Sequence, residues 1–201
     1  MSLREFPHEH EAKKKPIFYP EEALDFDGDI LEIGPGNGDF LISLAKNFPA
    51  KKIVAVEIRS KRFQKIRLRL QKEKLPNILL MWGDARVILP RHFSEKTFEK
   101  IYVLYPDPWP KQRHAFHRLL DFKFLSLLAL CLKKNGELIV ATDSKEYADG
   151  ILNHVVRIPS LKAIPLKDKF QETFFERVWK KEGKKIFYLS YFLEAISFSE
   201  K

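Results

Sequence analysis

The sequence predicts an α/β fold: a mostly parallel, seven-stranded sheet with helices on both faces. Three observations carry this. Short runs rich in branched and aromatic residues recur along the chain, separated by stretches whose apolar residues follow helical spacing. The early runs are apolar at nearly every position, as strands buried on both faces must be. A glycine-rich loop joins the first run to the first helical stretch, the usual start of an open parallel sheet.

Taken in order, "DILEI" (29–33) is a strand, "GPGNG" a loop, and "DFLISLAKNF" a helix through Phe40, Leu41, Leu44, Ala45 and Phe48. "KKIVAVEI" (51–58) is the second strand. The basic stretch after it sets Phe63, Ile66 and Leu70 on one face and reads as an amphipathic helix. "NILLMW" (77–82) is the third strand, followed by a short helix, and "KIYVLY" (100–105) the fourth. "RLLDFKFLSLLALCLKK" (118–134) reads as one long helix capped by Asn135-Gly136. "ELIVAT" (137–142) is the fifth strand, "KEYADGILNHVVR" a helix, "LKAIPL" a sixth strand and "KIFYLSYFL" (185–193) a seventh. Residues 1–27 mix charge and proline with little periodicity and read as an N-terminal arm; residues 28–201 read as one domain. His8 and His10 lack further ligands at fixed spacing, so no metal is expected.

Composition narrows the function. The 201 residues include one cysteine, Cys131, which excludes an intrachain disulfide; its apolar neighbours mark it as a core residue. No apolar run approaches the ~20 residues that span a bilayer, and the start lacks a secretory signal's apolar core, so a cytoplasmic protein is expected. Net charge is +9, and the cations cluster: residues 59–74 hold eight Lys or Arg against one Glu, with further clusters at 111–114 and 177–185. A solvated helix face explains any one cluster, but three of one sign favour a polyanionic partner, nucleic acid first.

Gly34, Gly36 and Gly38 give G-x-G-x-G, a spacing one residue short of the dinucleotide pattern. Acidic residues sit at four strand ends: Glu32, Glu57, Asp84 and Asp107. In an open parallel sheet these ends share one rim, where ligands bind. So many carboxylates would repel a pyrophosphate. They suit S-adenosylmethionine, which carries a sulfonium, an ammonium and ribose hydroxyls but no phosphate. Glu57 suits the ribose hydroxyls, Asp84 the adenine amino group and Glu32 the methionine end. This is the layout of the Rossmann-like class I methyltransferases, and the resemblance runs over residues 29–145.

After the fourth strand comes "YPDPWPKQRH", where three prolines stiffen a loop carrying Asp107 and Trp109. "PDPWPK-x-RH" closely resembles the signature of the bacterial tRNA (guanine-N7)-methyltransferases; "ATDSKEYA" and "TFFE" (173–176) resemble that family's later motifs, in the same order. The resemblance implies that Glu32, Gly34, Gly36, Gly38, Glu57, Asp84, Ala85 and Asp107 hold S-adenosylmethionine, released as S-adenosylhomocysteine. It implies that Asp107 is catalytic, and that Lys111, Asp143, Thr173, Phe174, Phe175 and Glu176 meet the guanosine. Arg113, His114, His117 and Arg118 would lie against tRNA, and the product would be 7-methylguanosine at position 46. The family continues with basic residues where this chain has Phe116 and His117, a departure that predicts a salt slope of binding lower by about two. Trp109 is open to two readings, stacking on the base or packing in the core.

Other readings remain at this level. An adenine amino-group methyltransferase would favour [DN]-P-P-[YF], but Trp109 follows Pro108 here. A silent tRNA-binding protein would not need the acidic rim. A nicotinamide dehydrogenase fits neither the glycine spacing nor the carboxylates. The sequence is compatible with a monomer or a homodimer.

Overall fold

The structure, a computed structural model, describes residues 28–166 and 173–194, without the side chains of Gln112, Ala115, Phe174 and Phe175. The arm expected at 1–27 lies outside these residues. Seven strands form one sheet: β1 (Ile30–Ile33), β2 (Ile53–Glu57), β3 (Ile78–Trp82), β4 (Phe98–Leu104), β5 (Leu132–Thr142), β6 (Leu161–Ala163) and β7 (Phe187–Leu193). Their order is β3-β2-β1-β4-β5-β7-β6, and β7 alone runs against the rest. The expected mostly parallel, seven-stranded sheet is therefore present.

Strand alternation builds the two layers. Leu31 and Ile33 of β1, with Val54 and Val56 of β2, pack on one face under α3 (Ala85–His92), α4 (Phe122–Cys131) and α5 (Lys145–Val155). Ile30, Ile53 and Ala55 face the other way, against Phe40, Leu41 and Leu44 of α1 (Asp39–Asn47) and Phe63 and Ile66 of α2 (Ser60–Glu73). A last helix, α6 (Phe174–Lys181), precedes β7. Among the described residues no helix is long and apolar enough to cross a membrane. Cys131 is fully buried, and burial pushes its thiol up to about 12.

One expected element is corrected. The helix read over 118–134 spans only Phe122–Cys131. Asp121 caps its start, its carboxylate accepting from the Phe124 N–H at 2.8 Å. At the other end the Leu130 and Cys131 carbonyls accept from the Lys96 and Thr97 N–H groups, and Leu132 already pairs with Phe98 in the sheet. Asn135-Gly136 is not a helix cap but an irregularity within β5, where the register against β4 shifts. Asn135 has φ 62°, and a Cβ at Gly136 would stand 2.9 Å from the Lys133 carbonyl oxygen, closer than real side chains come.

The sheet order reverses between β2-β1 and β4-β5. The strand ends there open a crevice, and the four acidic residues flank it.

Candidate active site

The crevice is a cleft of about 490 Å³ lined by Gly34, Glu57, Arg59, Asp84, Ala85, Tyr105, Asp107 and Trp109, among others. A smaller recess adjoins it, lined by Glu32, Gly36, Asp39, Phe40 and Thr173 and sharing Gly34, Arg62, Leu104 and Tyr105 with the cleft. Glu32, Glu57, Asp84 and Asp107 thus face one connected space.

The glycine loop makes that space possible. Gly34, Gly36 and Gly38 have φ of 74°, 61° and 80°, the left-handed region that disfavours other residues. A Cβ on Gly34 would meet nothing, because the residue borders the open cleft.

Glu32 and Glu57 are each only 2% exposed. Burial, helped by the neighbouring Glu57 charge, raises the Glu32 carboxyl to about 8. Burial also raises Glu57; the Arg59 N–H, the Arg62 guanidinium and the Gly36 N–H pull it partly back. Glu57 Oε1 accepts from the Arg59 N–H at 2.7 Å. Among the described residues, Oε2 of each carboxylate is buried with no hydrogen-bond partner. Two orphaned buried acceptors are costly unless a ligand supplies donors or positive charge. The residues present therefore fit a cationic, hydroxyl-bearing ligand.

Asp84 is shaped differently. It caps α3, accepting from the Arg86 N–H, and its two oxygens also hold the Arg86 side chain at 2.7–3.1 Å. Asp107 is 60% exposed at the cleft mouth and pairs with Arg59 Nη2 at 2.8 Å. Trp109 beside it is not core: it is partly exposed, its ring against His114 and His117 at centroid distances of 5.9 and 5.0 Å. Phe116 is 74% exposed, and Lys111 and Arg113 are exposed too.

On the far wall Thr173 caps α6, its hydroxyl accepting from the Glu176 N–H at 3.1 Å. The Glu176 side chain is buried, and its Oε1 accepts from the Tyr188 hydroxyl and from Lys180 Nζ at 2.7 Å. Burial acts to raise this carboxyl, but Lys180 and Tyr188 outweigh it and hold it below the usual range. The Tyr105 ring stands edge-on to Trp179 at 4.7 Å, and burial next to Glu176 pushes its hydroxyl pKa up. Asp143, after β5, pairs with Lys184 Nζ at 3.6 Å.

Residues 28–189 match a family model described as "Putative methyltransferase". A tRNA (guanine-N(7)-)-methyltransferase of Chlamydia felis is 32% identical over 193 residues, 91% of this chain and 85% of that protein. The chain belongs to the tRNA (guanine-N7)-methyltransferase family. The family member from Thermotoga maritima is 34% identical over 187 residues; the match spans 88% of this chain but 60% of that longer protein. Among solved structures, the 16S rRNA methyltransferase KamB superposes with a TM-score of 0.63 at 17% identity, covering 87% of this chain and 92% of that one. That likeness establishes the Rossmann-like class I methyltransferase fold alone.

With the tRNA (guanine-N7)-methyltransferase family as frame, the expected site residues divide. Glu32, Gly34, Gly36, Glu57, Asp84, Ala85 and Asp107 border the connected space, and Gly38 closes the loop as the cap of α1. Thr173 reaches the recess, while Glu176 is tucked behind it. Arg118, expected against RNA, is turned inward, its side chain 13% exposed. The Phe174 and Phe175 side chains lie outside the described set. Sequence reasoning missed Arg59, Arg62, Tyr105 and Tyr188. Tyr105 directly precedes the proline motif and Arg59 follows Glu57 by two, but nothing local marks either as part of a cleft.

Proposed function

We propose that the protein transfers the methyl group of S-adenosylmethionine to N7 of a guanine in tRNA, at position 46 of the variable loop. The orphaned buried oxygens of Glu32 and Glu57, side by side under a glycine loop, carry this reading within a chain of this family.

When bound, S-adenosylmethionine supplies a methyl group made electrophilic by its sulfonium. Glu57 Oε2 would accept from the ribose hydroxyls, and Glu32 would face the cationic methionine end. Ala85, at the start of α3, would offer its N–H to the adenine, and Asp84, already holding Arg86, would take the adenine amino group. Guanine N7 has a lone pair and no proton, so no general base is needed. Asp107 leaves Arg59 and accepts from the guanine's N1–H and N2 edge, stabilising the positive charge that develops on the ring. Asp143 is the other candidate for this role, with Lys111 and Thr173 as further substrate contacts; Glu176, held by Tyr188 and Lys180 behind the recess, supports that wall from within. Holding the reactants in line supplies much of the rate. Extruding the base costs a few kcal/mol, and Trp109, partly exposed at the rim, returns about 1–3 kcal/mol by stacking. Arg113, His114 and His117 would lie against the RNA.

The test is direct. Incubation with unmodified tRNA and labelled S-adenosylmethionine, then nuclease digestion and mass spectrometry, is expected to yield 7-methylguanosine at position 46. A methylated adenosine would replace the reading with that of an adenine amino-group enzyme. Tight tRNA retention with no cofactor binding in calorimetry would replace it with a silent RNA-binding module. The protein is expected in the cytoplasm, where its tRNA is.

A further inference from the structure

The loop after β4 has an unusual hydrogen-bonding problem. Pro106, Pro108 and Pro110 contribute no N–H, so the loop cannot knit itself together through backbone bonds. Tyr105 and Trp109 also sit in the left-handed region, with φ of 55° and 44°. That conformation is costly for an aromatic residue and persists only where its surroundings impose it.

Arg118 imposes it. Its Nε donates to the Pro108 carbonyl at 2.8 Å, and its Nη2 lies 3.4 Å from the Trp109 carbonyl oxygen. The same Nη2 pairs with Glu146 Oε1 at 2.8 Å, in the first turn of α5. The guanidinium lies 5.4 Å from the Tyr147 ring, whose hydroxyl accepts from the Leu120 N–H at 2.9 Å and pins the chain next to Arg118. Helix α5 begins one residue after Ser144, which follows Asp143. One side chain therefore ties the turn bearing Asp107 to the turn bearing Asp143.

We propose that Arg118 is a positioning residue: its guanidinium clamps the proline loop onto α5 and sets where Asp107 and Trp109 stand over the cleft. Its role in turnover rests on the methyltransferase reading above; its role in holding the loop does not. A planar fork suits this task, since its spread donors meet a carbonyl and a carboxylate in one fixed plane, whereas an ammonium must serve both from a single flexible point.

The experiment compares Arg118→Ala, Arg118→Lys, Glu146→Ala and the double variant R118A/E146A in steady-state methyl transfer, with tRNA binding titrated against salt. R118A is expected to lower kcat by about tenfold or more while leaving the salt slope of tRNA binding unchanged. R118K should recover about a third of the wild-type kcat. E146A removes a negative charge, which by itself helps RNA binding, yet kcat should fall about two- to threefold; adding it to R118A should cost nothing more. An R118A enzyme with normal kcat and a salt slope shallower by about one would make Arg118 a phosphate contact and overturn the clamp. Hydrogen exchange without RNA gives a second readout: amides between 107 and 117 should exchange faster in R118A, and unchanged exchange overturns the proposal. If R118A fails to fold, R118K and E146A carry the same comparisons. If the wild-type protein moves no methyl group to tRNA, the functional reading fails, and hydrogen exchange still decides the clamp.

Discussion

The sheet ends and the proline loop around the cleft use carboxylates in opposite ways. On the proposed donor side Glu32 and Glu57 are buried, each with one oxygen unsatisfied, and pushed toward the neutral form. They belong to the sheet itself, so their positions are as rigid as β1 and β2. On the acceptor side Asp107 is exposed, paired with Arg59, and carried by a loop held through side chains. Burial makes the first pair costly until a cation or hydroxyl arrives; exposure makes Asp107 cheap to keep and free to exchange partners. A rigid, electrostatically hungry pocket suits a small cofactor of fixed shape. An adjustable rim suits a base drawn out of a large RNA.

Substitution at the two sides tests this contrast. Asp107→Ala is expected to have the largest effect, lowering kcat by about 100-fold or more through loss of charge stabilisation, with S-adenosylhomocysteine affinity changed less than about threefold. Loss of cofactor affinity in calorimetry with kcat retained would invert the comparison. Glu57→Gln should do the reverse. Losing charge-assisted bonds worth about 2 kcal/mol weakens cofactor binding roughly 30-fold, while thermal stability of the free protein holds or rises because a buried charge is gone.

Glu32 adds a pH signature. Its folded pKa of about 8 lies above the ordinary 4.5, so the folded protein keeps a proton that the unfolded chain has released. Stability from this group is fully present below pH 4.5 and is lost as pH rises through about 8. A cationic ligand favours the ionised form, so cofactor affinity should rise with pH up to about 8, by at most about tenfold per unit, with proton release. Calorimetry in buffers of different ionisation enthalpy measures that proton, and Glu32→Gln should abolish it. Buffer-independent heats in the wild type would remove Glu32 from the ligand's surroundings.

Tyr188→Phe should have the smallest effect, about 1 kcal/mol in denaturant unfolding at pH 7. The Glu176 carboxyl is depressed, so its stabilisation is present above the ordinary carboxylate pKa and lost as pH falls through the folded one. Removing the Tyr188 hydroxyl takes away part of it. The gap between wild type and variant should therefore shrink in acid; a gap constant with pH would mean that only packing was lost.

Legibility followed the same divide. The glycine loop and its flanking carboxylates were readable because their signals are local: apolar runs, glycines at left-handed positions, an acid at or near the ends of β1, β2 and β3. The acceptor side was readable in part. "PDPWP" announced a stiff loop, but Arg118 looked like one more cation in a basic segment, and nothing nearby showed Glu146 or the two carbonyls it serves. Thr173 and Glu176 were expected at the substrate. Their T-x-x-E spacing is also the signal of a helix start, and Thr173 does cap α6 while Glu176 turns toward Tyr188.

Strand identity, the parallel sheet and the glycine turn were determined by the sequence alone, because each depends on a residue's own conformational preference or on neighbours within a few positions. The end of α4 at Cys131, the burial of Glu176 and the inward turn of Arg118 were decided only by the tertiary structure. Each depends on a hydrogen-bond partner distant in the chain or on another layer of the fold: Thr97 for Cys131, Tyr188 for Glu176, Glu146 for Arg118. Such partners become available only after the sheet has brought separate segments together.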